Sequence, residues 1–209
     1  MKRAVTVVLA AGTGKRLGGP KALLAWPAPT GKGKELPLAV VHAETRLAAE
    51  SARVLLVTRR PMMMSLLGHV RPGIDLLASD AADELGPAGS LAYASSRLGD
   101  AEVVIVTPVD TPPARAETVA RLLDRLDAEP ALLAARPVYK GRAGHPVALR
   151  RAALARYQAP SPPPLRDHLK ALGAACADVD VPDPTVLIDL NTPADVMGLL
   201  QTLPRFLDG

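Results

Sequence analysis

Glycines and cations crowd one short segment near the start of the chain. Residues 9–21 read LAAGTGKRLGGPK and follow the apolar run AVTVVL at 4–9. Glycine lets backbone N–H groups point closely at an anion, and Lys15, Arg16 and Lys21 add positive charge at the same place. Because α/β proteins bind phosphates at strand-to-loop junctions, the segment indicates a phosphate site. The alternative is an ordinary solvated turn with incidental basic residues.

This loop differs from the two commonest phosphate-binding motifs. A P-loop requires Gly-Lys followed by Ser or Thr, whereas Gly14-Lys15 is followed by Arg16. The dinucleotide fingerprint G-x-G-x-x-G requires a glycine at position 17, which is Leu17. The pattern that stands here is G-x-G-x-R-x-G-x-P-K.

That pattern resembles the MobA-like NTP transferases, which act in molybdenum cofactor maturation, and their sugar-phosphate and methylerythritol-phosphate cytidylyltransferase relatives. The resemblance implies transfer of a nucleoside monophosphate from an NTP, with CTP favoured, to a small phosphorylated acceptor, with release of pyrophosphate. It implies that Arg16 contacts the leaving phosphates and Lys21 the α-phosphate or the acceptor phosphate, with Lys15 as a further nucleotide-binding candidate. It places the other nucleotide contacts of this loop at Leu9, Ala10, Ala11, Gly12 and Gly14.

Nucleotidyl transfer also requires a divalent cation, for which Asp110 is the candidate ligand. Asp110 follows the apolar run VVIVTP, and a carboxylate at the end of a central strand lies over the crevice where ligands bind. Mg²⁺ takes one or two carboxylates and completes its shell with phosphates and water. The family has Asp-x-Pro here, which Asp110-Thr111-Pro112 matches. Alternatively, Asp110 caps a helix predicted at 114–128.

A second metal ligand is implied near the end of the chain. The family carries Asp-x-Asp/Asn-Thr-Pro-x-Asp before its last helix, and residues 189–195 read DLNTPAD. The resemblance makes Asn191 a ligand through its neutral carbonyl oxygen. Alternatively, Asn191 or Thr192 caps the final helix and Asp195 interacts with the helix dipole.

Two more segments bear on specificity. In GPAGSL at 86–91, Gly89 and Ser90 match the family's loop for recognition of the base and ribose; an ordinary helix N-terminus is the alternative. The Gly-His-Pro segment of the molybdopterin cytidylyltransferase branch matches at Gly144-His145-Pro146. It implies that Gly144 and His145 bind the acceptor, although a lone histidine is more often structural.

Apolar runs alternate with helical patterns along the chain. Strands are predicted at 4–10, 53–58, 74–78, 102–107, 131–136, 146–149 and 177–181, and helices at 38–51, 61–67, 89–98, 114–128, 150–157, 165–172 and 193–203. This alternation predicts an α/β fold: a doubly wound, mostly parallel sheet with helices on both faces, in one domain over 1–209. The segment 26–36 (WPAPTGKGKEL) is predicted to be a plain turn or a mobile flap.

Composition excludes several other classes of protein. The net charge is +4, but aromatic residues make up 2% and no Lys/Arg block occurs, so we expect no nucleic-acid partner. The single cysteine, Cys176, allows no intramolecular disulfide and is interpreted as a small buried apolar residue. The sequence has no apolar stretch long enough for a membrane span or a signal segment, so we expect a cytoplasmic protein. The sequence predicts no particular oligomeric state.

Two departures from the family pattern leave other functions open. The segment 26–36 is longer than the family's usual turn after the lysine. Near 159–169, where the molybdopterin branch commonly has a Gly-rich stretch, this chain has the proline-rich APSPPP at 159–164 followed by Leu165-Arg166-Asp167. The alternatives are therefore transfer to a sugar phosphate or another small phosphate, or a non-catalytic nucleotide-binding protein of the same fold. Retention of Arg16, Lys21 and Asp110 together favours an enzyme.

Overall fold

Strands and helices alternate through the residues that the computed structural model describes, 4–31, 33–49, 51–79 and 81–207, with the backbone alone described at 81–84. The strands are β1 (Ala4–Leu9), β2 (Ala25–Pro27), β3 (Glu35–Pro37), β4 (Arg53–Thr58), β5 (Ile74–Ala78), β6 (Val103–Pro108), β7 (Ala134–Tyr139), β8 (Arg142–Ala143), β9 (Val147–Arg150) and β10 (Cys176–Asp180). The α-helices are α1 (Leu38–Ala49), α2 (Arg60–Leu67), α3 (Ala81–Ser95), α4 (Ala116–Ala128), α5 (Leu165–Leu172) and α6 (Pro193–Leu200). Short 3₁₀ helices cover Lys21–Leu23, Arg151–Gln158, Gly173–Ala175 and Pro184–Leu187.

The order in which the chain adds strands to the main sheet reverses at β1. Its strand order is β10-β7-β9-β6-β1-β4-β5, with β8 paired to β7. Strand β1 is parallel to both β4 and β6, β5 is parallel to β4, and β10 is parallel to β7. Strand β9 runs antiparallel to both of its neighbours. Open α/β sheets bind ligands beyond the carboxyl ends of their strands at such a switch point, here the ends of β1 and β6.

Aliphatic layers cover both faces of this sheet. One face packs against α1, α2, α4 and α6, and the other packs against α3, α5 and the 3₁₀ helix Arg151–Gln158. Strand β1 serves both layers, because Val8 points into the first and Val5 and Val7 into the second. The predicted doubly wound, mostly parallel α/β fold is confirmed. None of the helices among the described residues has the length and apolar character needed to cross a bilayer.

Some element boundaries differ from the predicted ones for local reasons. The strand predicted at 131–136 lies at 134–139, because residues 129–132 form a turn that already buries Leu132. The helix predicted from Gly89 starts at Ala81 and is kinked at Gly86, where φ is 58°. The helix predicted at 150–157 is a 3₁₀ helix. The last helix ends at Leu200, because the next residue adopts a left-handed conformation.

The segment predicted as a turn or flap at 26–36 is a β-hairpin. Strands β2 and β3 pair antiparallel, with Trp26 opposite Leu36, and both of these side chains are buried. The Ala28 N–H donates to the Lys34 carbonyl and narrows the hairpin tip. Residue 32 of this segment lies outside the described residues. The base of the segment therefore packs into the core, and the motion of its tip stays a prediction.

Candidate active site

Gly14 turns the loop after β1 back on itself. Its φ is +62°, a conformation that glycine adopts readily, and a Cβ at this position would overlap the carbonyl oxygen of Gly19. The Gly14 carbonyl accepts hydrogen bonds from the N–H groups of Leu17 at 2.9 Å and Gly18 at 3.1 Å. Leu17 is 1% exposed and anchors the loop in the core. The loop is thus shaped by its own backbone before any ligand binds.

A cleft of about 360 Å³ lies at the ends of β1 and β6. It brings together most of the residues predicted to bind nucleotide and metal. These lining residues are Leu9, Ala11, Gly12, Gly14, Lys15, Arg16, Lys21, Ser90, Asp110 and Asn191. Lys15 and Arg16 are exposed, so their charged groups are accessible to a polyphosphate.

Ala10 and Gly89 lie behind the cleft and do not line it. The Ala10 N–H donates to the Val57 carbonyl at 2.8 Å, and the Ala10 carbonyl accepts from the Thr58 hydroxyl at 3.3 Å. Gly89 is buried inside α3. Both residues lie next to lining residues, and their contact with a nucleotide stays a prediction. Of the segment 86–91 that the sequence analysis singled out, Gly86 and Pro87 also line the cleft, at the kink of α3.

Ser90 places a buried, unpaired hydroxyl at the wall of this cleft. The residue is 1% exposed, and its Oγ has no hydrogen-bond partner among the described residues. Buried polar atoms are nearly always paired, so an unpaired one facing a cleft is available to a ligand. This geometry supports the predicted nucleotide contact at Ser90.

Lys21 lies at the centre of the polar groups in the cleft. Its Nζ donates to Asp110 Oδ2 at 3.2 Å and to Asn191 Oδ1 at 2.8 Å. The Lys21 side chain is 12% exposed and that of Asp110 is 36% exposed. The two predicted metal ligands therefore direct their oxygens at one point, where a cationic group already lies.

Backbone contacts fix Asp110 at the end of β6. The Val109 N–H donates to the Leu9 carbonyl at 3.0 Å, which joins the ends of the two central strands. The Leu190 N–H donates to the Asp110 carbonyl at 2.6 Å. The predicted helix-cap alternative for Asp110 is not realised, because α4 begins at Ala116 with Arg115 at its N-cap. The Asp110 carboxylate therefore faces the cleft and serves no helix.

Two buried polar residues of α1, missed by sequence reasoning, hold the turn after Asp110. His42 Nε2 lies 2.8 Å from the Thr111 carbonyl oxygen, and Arg46 donates to the Ala114 carbonyl at 2.6 Å. Burial lowers the pKa of His42 to about 4, so the ring is neutral at pH 7 and donates from Nε2. The helical pattern of α1 gives no sign of these contacts, since both residues sit on the apolar face.

Thr192 caps α6 and leaves the side chain of Asn191 for the cleft. The Thr192 hydroxyl and the Asp195 carboxylate form a reciprocal capping box. Hydrogen bonds from the side chain and backbone of Thr192 lower the pKa of Asp195. Asp195 also accepts from the Asn191 N–H at 2.9 Å, which fixes the Asn191 backbone. Of the alternatives raised for this segment, the cap belongs to Thr192.

The donor set at Asp110 and Asn191 fits a hard divalent cation that also needs ligand oxygens from a substrate. Both residues offer oxygen atoms, and their common hydrogen bond to Lys21 shows that the two atoms converge. Across the described part of the chain, no group of three or more His, Cys, Asp or Glu side chains could hold a metal ion. One carboxylate and one amide leave most of an octahedral shell to phosphates and water.

Gly144 and His145 lie in a second, larger cavity of about 700 Å³ that shares Leu9, Asp110 and Asn191 with the cleft. A Cβ on Gly144 would overlap the Val186 carbonyl oxygen, to which the His145 N–H donates at 3.0 Å. The His145 Nδ1 is buried with no partner among the described residues. Burial lowers the pKa of His145, although the nearby acidic groups oppose this shift, so the ring is neutral at pH 7.

Cys176 lies at the start of β10 and lines neither cavity. Burial raises the pKa of its thiol, so the thiol stays protonated at neutral pH. Cys176 is half-buried and packs against the core layer that contains α3 and α5, so it has the predicted packing role without full burial.

Solved structures of several other proteins share this fold. The manganese complex of Rv0371c from Mycobacterium tuberculosis H37Rv is 20% identical, with a TM-score of 0.74 over 96% of this chain and 99% of that chain. A nucleotidyl transferase from Methanothermobacter is 18% identical, with a TM-score of 0.72 over 95% and 96%. The 4-diphosphocytidyl-2C-methyl-D-erythritol synthase from Anaerococcus prevotii is 14% identical, with a TM-score of 0.70 over 96% and 97%. These likenesses show the fold. No curated protein matches the sequence.

A family model gives the more specific result. The model of the MobA-like NTP transferase domain matches residues 6–176, which include the glycine loop, Asp110 and the Gly-His-Pro segment. The Asn191 segment lies beyond the matched residues and is joined to the site by its contacts with Asp110 and Lys21. From this match over most of its length, the chain belongs to the MobA-like NTP transferase family and is a nucleotidyltransferase.

Proposed function

We propose that this chain transfers a nucleoside monophosphate from CTP to a small phosphorylated acceptor and releases pyrophosphate, with Mg²⁺ as the metal. The observation that carries the proposal is the contact of Lys21 Nζ with both Asp110 and Asn191 beside a pre-shaped glycine loop. The glycine loop, which would bind the phosphates, and the oxygens of Asp110 and Asn191, which would bind the cation, line the same cleft.

In the proposed reaction, an oxygen of the acceptor phosphate attacks the α-phosphorus of the NTP. A new P–O bond forms as the bond to the β-phosphate oxygen breaks, and the electron pair leaves with pyrophosphate. Negative charge grows on the leaving group and on the α-phosphate oxygens. Arg16, exposed on the loop, would neutralise the leaving phosphates, and Lys21 would neutralise the α-phosphate or the acceptor phosphate.

Asp110 and Asn191 would hold the Mg²⁺ ion, which when bound supplies charge neutralisation across the phosphates. The Leu190 N–H to Asp110 carbonyl bond keeps the two ligand-bearing segments together. Manganese is present in the complex of the Mycobacterium tuberculosis protein Rv0371c, which has the same fold. The structure also supports a rigid arrangement, because His42 and Arg46 hold the turn that follows Asp110.

The proposed acceptor lies in the cavity that contains Gly144 and His145. The unpaired Nδ1 of His145 would bind the acceptor, and a molybdenum-cofactor-type phosphate is the first candidate. A sugar phosphate or another small phosphate is the second candidate. It is favoured by Leu165 and Arg166, which line this cavity directly after the proline-rich segment that departs from the molybdopterin branch.

The decisive experiment is a pyrophosphate-release screen. Each of the four NTPs is tested with molybdopterin and with a set of sugar and alditol phosphates, with Mg²⁺ and without it. We expect release to require Mg²⁺, one preferred NTP and one acceptor class, and we expect Asp110→Ala to abolish it while circular dichroism shows an intact fold. Release that persists in Asp110→Ala would contradict the metal assignment. A preference for another NTP would contradict the CTP assignment, and no release with any combination would contradict the proposed acceptors.

A further inference from the structure

The second cavity has a cationic wall that the proposed transfer reaction does not use. Three arginines line it, and they come from separate elements: Arg136 from β7, Arg142 from β8 and Arg166 from α5. Transfer to a single acceptor phosphate requires positively charged side chains only around that phosphate. The arginines therefore call for a separate explanation.

Two of these guanidinium groups have no anionic partner among the residues that the structure describes. Arg136 donates to Asp178 Oδ1 at 2.6 Å, so much of its charge is already balanced. Arg142 and Arg166 are both exposed, and within the described ranges neither side chain has a hydrogen bond or an ion pair. Two unpaired guanidinium groups on one cavity wall favour a carboxylate or phosphate, which they can bind with paired hydrogen bonds.

The acidic groups of the second cavity lie near His145, on the side where the proposed transfer takes place. Asp110 and Asp189 both line the cavity, and both are near enough to His145 to act on its ring. Arg142 lies three residues before His145, a backbone span of at most about 11 Å. Negative and positive side chains thus line the same cavity.

We propose that the acceptor carries a second anionic group, a carboxylate or a phosphate, which Arg142 and Arg166 bind while the reacting phosphate lies near Lys21 and Asp110. This inference rests on the proposed function, because it assigns the second cavity to the acceptor. It narrows the acceptor class to small molecules with an anion at each end. A pterin phosphate with one anionic group would leave both arginines unpaired.

The test is direct binding by isothermal titration calorimetry, without NTP and without turnover. The probes are sorbitol 6-phosphate, with one anionic group, 6-phosphogluconate, with a phosphate and a carboxylate, and mannitol 1,6-bisphosphate, with two phosphates. We expect at least one of the two-anion probes to bind about tenfold or more tightly than sorbitol 6-phosphate, as a charge-assisted pair would give. Which of the two gains more affinity distinguishes a carboxylate from a phosphate as the second group.

Variants assign the gain to the arginines. In the double variant Arg142→Ala with Arg166→Ala, the three probes should bind with equal affinity. The matched control is the pair Arg121→Ala with Arg125→Ala on α4, which removes the same charge from exposed side chains outside the cavity and should keep the gain. Equal affinity of all probes for the unmodified protein, no binding of any probe at millimolar concentration, or a gain that survives in the double variant would each overturn the proposal. None of these results depends on nucleotidyl transfer, which the pyrophosphate screen tests separately.

Discussion

The ammonium group of Lys21 donates to the carboxylate of Asp110 at 3.2 Å, across 89 positions of the sequence. The same Nζ also reaches Asn191, 170 positions away. Three segments that are remote in sequence thus meet at one atom. The ammonium group of Lys21 occupies the place where the oxygens of Asp110 and Asn191 would attract a metal ion. Entry of a divalent ion between these oxygens would therefore require Lys21 to turn away from them. A bound phosphate would give the ammonium group a new partner.

Lys21→Met tests the charge at this centre and keeps most of the side-chain stem. We expect kcat for pyrophosphate release to fall by about 10²-fold or more, because the lost ammonium group stabilises charge that develops in the transition state. Steady-state kinetics provides the measurement. Lys170→Met on α5, an exposed lysine that lines neither cavity, is the control and should keep the unmodified kcat. A Lys21→Met enzyme of normal kcat would assign Lys21 to packing.

Asn191→Asp tests how the site binds metal without nucleotide. The unmodified site offers one carboxylate and one amide, so we expect Mn²⁺ binding, followed by electron paramagnetic resonance, to be weak alone and much tighter with the preferred NTP. A second carboxylate should strengthen binding of Mn²⁺ alone by about tenfold. Asn191→Ala should weaken binding of Mn²⁺ in the presence of NTP. Equal Mn²⁺ affinity in all three proteins would refute the role of Asn191 as a ligand.

Gly14→Ala tests the shape of the phosphate loop. The new Cβ would overlap the Gly19 carbonyl in a backbone conformation with φ of +62°, so we expect a loss of about 1–3 kcal/mol in the free energy of unfolding. Gly12→Ala is the matched control, because a Cβ there would have no heavy atom within 4 Å. Urea denaturation compares the two variants. Equal stability of the two would mean that the loop is not held in this conformation.

His42→Gln tests the buried histidine behind the Asp110 turn. The pKa of His42 falls from 6.5 to about 4 on folding, so between these values the unfolded chain binds more protons than the folded one. Stability from this group is therefore present above pH 6.5 and lost as the pH falls towards 4, by roughly 3 kcal/mol in total. The loss of stability that His42 causes should be absent in His42→Gln, because glutamine does not take up a proton in this pH range. Its amide can still donate to the Thr111 carbonyl. Denaturation at pH 4.5 and pH 7.5 measures the difference between the two proteins.

Histidines other than His42 also contribute to the loss of stability at low pH, and they do so in both proteins. Burial also lowers the pKa of His145 and His168, so these residues add a loss of stability of the same sign in both proteins. The comparison of His42→Gln with the unmodified protein removes their contribution. An identical pH dependence of the two proteins would show that folding does not lower the pKa of His42.

Local patterns predicted the elements far better than the contacts between them. Runs of β-branched residues placed β4 and β5 at 53–58 and 74–78, and the amphipathic pattern placed α5 at 165–172, each as found. The antiparallel direction of β9 was not predicted, because an apolar strand reads alike in either direction. The kink at Gly86 concealed the first part of α3, and the turn at 129–132 moved the start of β7 along the chain.

The site was predictable as a set of residue types and unpredictable as an arrangement. Glycine spacing and the resemblance indicated the loop, Asp110 and Asn191, because each lies beside a recognisable strand or helix end. No local sequence pattern predicts that Lys21 donates to both Asp110 and Asn191, or that His42 contacts the Thr111 carbonyl. Unpaired arginines on a cavity wall are likewise invisible before the chain folds, since Arg142 and Arg166 lie on different elements.

The hydrogen bond from the Leu190 N–H to the Asp110 carbonyl has a consequence for the order in which the enzyme becomes competent. During synthesis the glycine loop, β6 and Asp110 emerge first, and every strand of the main sheet is complete by residue 180. A nascent chain of that length would have its whole sheet but would lack the amide oxygen of Asn191. Under the proposed metal site, a chain of this length would hold the sheet and Asp110 but only one of the two metal ligands, so we expect it to fold without transferring a nucleotide.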